Sequence, residues 1–87
     1  FSLYNVFPNP FNPTNTLQFS VPNNKTEPVR IFVYDITGRM VLKLTDQIYD
    51  PGHYQLTWDG SGLGSGIYFI DFQARDTHQF RKISLVK

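Results

Sequence analysis

The 87-residue sequence predicts an all-β fold, an immunoglobulin-like antiparallel β-sandwich of about seven strands. Three observations carry that expectation. Apolar residues alternate with polar ones at the period of a half-buried strand, and no stretch keeps the period of a helix. Six such segments, with a further one before Pro8, recur roughly every ten to twelve residues with turn residues between them. Glycines and prolines punctuate the intervals, most densely in Trp58-Asp59-Gly60-Ser61-Gly62-Leu63-Gly64-Ser65-Gly66-Ile67-Tyr68.

Taken in order, residues 1 to 7 alternate loosely and meet Pro8-Asn9-Pro10-Phe11-Asn12-Pro13. Prolines there fix φ, remove donors and push their predecessors to extended conformations, so no helix can begin. Thr16 to Val21 alternates with Leu17, Phe19 and Val21 on the buried face, and Pro22 to Pro28 reads as a turn. Val29 to Asp35 is rich in β-branched and aromatic residues but apolar on both faces. Placing Val29, Ile31 and Val33 inward sends Arg30 to water and leaves Phe32 and Tyr34 outside. Asp35 to Arg39 is a hairpin-type turn with Gly38 at the positive-φ position, and Met40 to Thr45 returns as a strand.

Asp50-Pro51-Gly52 is a second turn, followed by His53 to Trp58 with Tyr54, Leu56 and Trp58 on one face. Four of the six glycines then fall between positions 60 and 66, where the backbone must turn, and the pattern reads as a hairpin with Trp58 and Tyr68 at its ends. Each of those rings carries one polar atom, which suits the lip of a core where the ring is buried and the NH or OH finds a partner. Ile67 to Ala74 places Tyr68, Ile70 and Phe72 on one face and Phe69, Asp71 and Gln73 on the other. Arg75-Asp76-Thr77-His78 is a polar turn, and Gln79 to Val86 closes the chain with Ile83 and Leu85 inward.

The bulk numbers bound the function. A chain of this length is a single domain over residues 1–87 and buries only about 60 to 65% of its unfolded surface. Without cysteines, neither disulfides nor thiolate metal sites compensate, so the abundant aromatics must do the packing. The net charge of +1 comes from scattered residues with no basic stripe, which argues against nucleic acid. No apolar run approaches about 18 residues and the start is not basic, so neither membrane insertion nor an intact signal peptide is expected.

No cofactor, metal or catalytic residue is assigned. His53 and His78 read as solvated, and Ser61 and Ser65 as loop residues without a nucleophile motif. Asp35, Asp46, Asp50 and Asp59 border turns, where carboxylates accept backbone NH bonds; calcium, the alternative, lacks a matching loop spacing. Asn24-Lys25-Thr26 has the form of a glycosylation acceptor but reads as a plain turn, and Pro13 excludes Asn12. Phe32, Tyr34 and Phe69 are candidates for an exposed aromatic patch that could stack on a sugar or dock a partner. The opposing reading is that they belong to a doubly covered strand.

The run Phe7-Pro8-Asn9-Pro10-Phe11-Asn12-Pro13, then Val33-Tyr34-Asp35 with Gly38-Arg39, then Trp58-Asp59-Gly60, Ser65-Gly66-Ile67-Tyr68 and Arg81-Lys82 resembles the C-terminal sorting domain of type IX (Por) secretion cargo. It is less closely similar to the immunoglobulin-like domain of the flagellar hook-capping protein. Each motif alone is weak, but together they are in register over nearly the whole chain. The loop after Gly60 is shorter than in many members.

What the resemblance implies is a seven-stranded, non-catalytic targeting domain that directs a secreted multidomain protein through the periplasm and across the outer membrane to the cell surface. It would be read by an outer-membrane translocon and sorting machinery, follow an upstream passenger domain, and commonly be removed or replaced by a lipopolysaccharide anchor. The recognition positions carried over are Pro8, Asn9, Pro10, Gly66, Tyr68 and Lys82. Two other readings stay open: an accessory carbohydrate-binding or adhesion module of an extracellular hydrolase, and a structural domain that sets polymer assembly.

Overall fold

A computed structural model describes residues 2–7, 14–22, 25–75 and 77–85. Seven strands run in chain order: β1 (Ser2–Phe7), β2 (Thr14–Val21), β3 (Glu27–Tyr34), β4 (Met40–Tyr49), β5 (Gly52–Asp59), β6 (Gly66–Ala74) and β7 (Thr77–Leu85). They form a three-stranded sheet in the order β1-β2-β5 and a four-stranded sheet in the order β4-β3-β6-β7, with every pairing antiparallel. The all-β immunoglobulin-like sandwich expected from the periodicity is the observed fold.

The core lies between the sheets. Leu17, Phe19 and Val21 of β2 face Val29, Ile31 and Val33 of β3 and Tyr68, Ile70 and Phe72 of β6, all buried and all in the phase that alternation assigns. Phe19 is the hub: its ring lies 5.3 Å from Tyr54 in a stacked arrangement, and 5.2 Å from Tyr49 and 6.3 Å from Phe72 edge-on. These four rings come from β2 and β5 on one sheet and β4 and β6 on the other. Offset and edge-on pairs of this kind add about 0.5–1.5 kcal/mol each beyond area burial, which matters in a chain without cross-links.

Four expectations about the strands and their connections need correction. The glycine-rich segment is not a hairpin, because β5 and β6 lie in different sheets; it crosses the sandwich, and Trp58 and Tyr68 close that end from opposite sides. Sheet membership depends on distant pairings, so the local turn pattern could not decide it. Strand β4 runs to Tyr49 rather than ending at Thr45. Register shifts between Ile31 and Phe32 and between Val33 and Tyr34 let β4 insert extra residues, and Val41, Leu42 and Leu44 all pack against the core. These bulges break simple alternation, while Thr45 and Tyr49 are buried and hydrogen-bonded to each other through their hydroxyls.

Strand β3 begins at Glu27, inside the segment read as a turn. Pro28 is tolerated because it pairs with Ile48 of β4, whereas the pairing with β6 begins only at Arg30. Glu27 is buried and accepts from the Arg75 backbone N–H at 3.3 Å, with the Arg75 guanidinium at 3.6 Å. At the other end of the chain, Thr77 and His78 belong to β7 rather than to the preceding turn. Asn24, Asp76 and Val86 lie outside the described residues.

Candidate functional site

The two outer faces of the sandwich differ in chemistry. On the three-stranded sheet, Thr16 pairs with Thr57 and Gln18 with Gln55, and their side chains are hydrogen-bonded across the strands at 3.3 and 3.2 Å. That is the polar-out face of an antiparallel sheet with one side in water. The four-stranded sheet departs from it. Its register sets Lys43, Phe32, Asp71 and Phe80 in one cross-strand row and Met40, Tyr34, Phe69 and Lys82 in the next.

Phe32, Tyr34 and Phe69 therefore share the outer face, as the inward placement of Val29, Ile31 and Val33 requires, and all three are half-buried. Phe80 joins them at 60% exposure. Between β3, β6, β7 and the β3–β4 turn lies a groove of about 560 Å³, whose walls include Tyr34, Ile36, Phe69 and Phe80. Phe80 was legible only as the aromatic standing opposite in phase to Ile83 and Leu85.

Asp71 also lines this groove, yet it is only 4% exposed although it sits on the outer face. Its cross-strand neighbours are Phe32 and Phe80, whose rings displace water from the carboxylate. A shielded carboxylate needs donors. His78 Nε2 donates to Oδ1 at 2.6 Å, Gln73 Nε2 donates to Oδ2 at 3.1 Å, and the imidazole is held 4.8 Å from the Phe80 ring. His78 is thus not merely solvated, a correction that required the β6–β7 register, which brings Gln73 opposite His78.

The aspartates expected at turns have separate duties. Asp35 Oδ1 accepts from the Thr37 backbone N–H at 2.9 Å, its hydroxyl at 2.6 Å and the Arg39 N–H at 3.0 Å. The Thr37 hydroxyl first, then the Arg39 amide, lower the Asp35 pKa below its ordinary value. Gly38, at φ 89°, completes that turn. Asp59 accepts from the Ser61 N–H at 2.8 Å, Asp46 pairs with Arg30 at 3.2 Å, and the Asp50 carbonyl accepts from the Tyr54 hydroxyl at 2.6 Å. Among the described residues no three acidic, histidine or cysteine side chains gather as a metal site.

The positions carried over by resemblance are not on one surface. Tyr68 is 8% exposed with its ring in the core, and its hydroxyl donates to the Gly64 carbonyl at 2.7 Å. A tyrosine opening a strand and bonding back to the preceding loop is the tyrosine corner of immunoglobulin-like sandwiches. Gly66, exposed at φ 154°, turns the chain from that loop into β6. Trp58, its counterpart across the end, is 7% exposed, but its Nε1 has no partner among the described residues, contrary to expectation. Lys82 lies exposed on the outer face opposite Phe69. Pro8, Asn9 and Pro10 lie outside the described residues.

A family model for the secretion system C-terminal sorting domain matches residues 5–86. The chain belongs to this family. Membership makes it a type IX secretion sorting signal and hence part of a secreted or cell-surface protein. For the sorting domain, neither the curated proteins nor the solved structures give a significant match.

Proposed function

We propose that residues 1–87 act as a single non-catalytic targeting domain that takes an upstream passenger from the periplasm across the outer membrane, through the type IX translocon, to the cell surface. The observation that carries this reading is the extent of the family match, which runs from β1 to β7 instead of resting on one short motif. On this reading the carried-over residues divide by role. Gly66 and Tyr68 build the loop that closes the sandwich, whereas Lys82 is exposed and available to a partner.

The test is to fuse the chain behind a signal peptide and a reporter in a host with type IX machinery. Surface delivery is measured beside the melting temperature of the isolated chain. Lys82→Ala should leave the fold within about 0.5 kcal/mol, as surface changes do, yet impair delivery. Normal delivery by both Lys82→Ala and a chain ending at Arg81 would reject the reading. The aromatic outer face favours a second function, an accessory carbohydrate-binding or adhesion module, which such a result would promote.

A further inference from the structure

We propose that the free edge of β7, with the aromatic groove beside it, is the docking site for an extended acidic segment of a protein partner. Such a segment would add as a fifth strand to the β4-β3-β6-β7 sheet. The inference rests on the sorting reading and assigns that partner to the secretion machinery.

The edge itself is the first argument. Among the described residues β7 pairs only with β6, over nine consecutive positions without a register shift. The opposite edge of the same sheet, β4, is bulged in two places. A long unbulged edge exposes a row of backbone donors and acceptors, which a peptide strand can pair with. Directly beside it, Phe80 stands 60% exposed over the groove that Tyr34 and Phe69 help to line.

Charge selects the occupant. Among the described residues, Asp46 is ion-paired with Arg30 at 3.2 Å and Asp35 with Arg39 at 3.5 Å, while the Asp71 carboxylate is buried and hydrogen-bonded by His78 and Gln73. Lys43 and Lys82, exposed at the two edges, make no ion pair among the described residues. Among the described residues the face is thus apolar in the middle, with Lys43 and Lys82 outside any ion pair at its rim. A strand laid along β7 that sets an apolar side chain against Phe80 can set a carboxylate two residues on against Lys82, because alternate residues share a face. A glycan fits less well, since the groove's recessed carboxylate is already committed to His78 and Gln73.

The test has two arms. In the first, the isotope-labelled chain is titrated by NMR with the peptide Thr-Val-Thr-Glu-Thr-Val-Thr and with its counterpart carrying lysine for glutamate. The expected result is amide shifts concentrated on β7, at least about fivefold weaker binding of the lysine peptide, and a similar loss for Lys82→Glu, since rim charges tune such encounters. No shifts on β7 at millimolar peptide, or equal binding of both peptides, overturns the proposal. Binding of cellohexaose or of phosphatidylglycerol vesicles at this face without a response to the peptide does the same. In the second arm, reporter fusions carrying Phe80→Ser or Lys82→Glu should reach the surface at about a tenth of the unsubstituted level, with the melting temperature of the exposed Lys82→Glu variant unchanged. Full delivery by these variants overturns the docking assignment and leaves the sorting reading standing. Failure of the unsubstituted fusion itself to reach the surface strikes the sorting reading instead, and the NMR arm then still decides the docking site.

Discussion

Replacing Tyr68 with phenylalanine removes one hydroxyl and keeps the ring in the core. The hydroxyl donates to the Gly64 carbonyl at 2.7 Å, so the variant loses a single hydrogen bond of good geometry. Gly64 is exposed, and water can satisfy the freed carbonyl, which keeps the loss near the ordinary net value of about 1 kcal/mol, range 0.5–1.5. In a domain of this size that corresponds to a fall of roughly 4–8 °C in melting temperature. The assay is thermal unfolding of the two chains side by side, with surface delivery of the matching reporter fusions. Delivery should fall only as far as stability does. An unchanged melting temperature would refute the corner's contribution, and lost delivery at unchanged stability would mean that the hydroxyl is read directly by the secretion machinery.

Trp58→Ala should cost about 3–5 kcal/mol, read as a shift in the denaturation midpoint, because the ring closes the sandwich end at 7% exposure. A domain with modest total stability could unfold outright on that loss. His78→Ala leaves a nearly buried Asp71 oxygen without its donor and should cost about 1–3 kcal/mol by chemical denaturation, toward the lower end because the imidazole is half exposed. Asp35 has its pKa lowered on folding, so its stabilising contribution is complete above the unfolded value and is lost as pH falls through the depressed folded value. An NMR titration should place its midpoint below 3.8, and Asp35→Asn should remove that part of the acid sensitivity.

Strand phase was legible wherever one face is covered and alternation holds, as for Leu17, Phe19 and Val21 or Tyr68, Ile70 and Phe72. The doubly apolar β3 was also phased correctly, on the single clue of Arg30. What escaped depends on pairing between distant strands. The crossing of the glycine-rich loop, the pairing with Glu27 to Arg30 that carries β4 on to Tyr49, and the Asp71–His78 contact are all consequences of register. Of the aromatic face, Phe32, Tyr34 and Phe69 could be named from β3 and β6 alone. Phe80 and Lys43 enter only when β7 and β4 are set beside them.

The central claim, that this chain is a sorting signal, is tested most directly by where a passenger goes. A signal peptide, a reporter and the 87-residue chain are fused and expressed in a host with type IX machinery and in the same host lacking the translocon, and surface and periplasmic reporter are quantified. The expected result is surface reporter in the first host and periplasmic retention in the second, with no surface reporter in either when the chain is omitted. Equal surface reporter with and without the translocon, or retention of the fusion in both hosts while the isolated chain is folded, would contradict it.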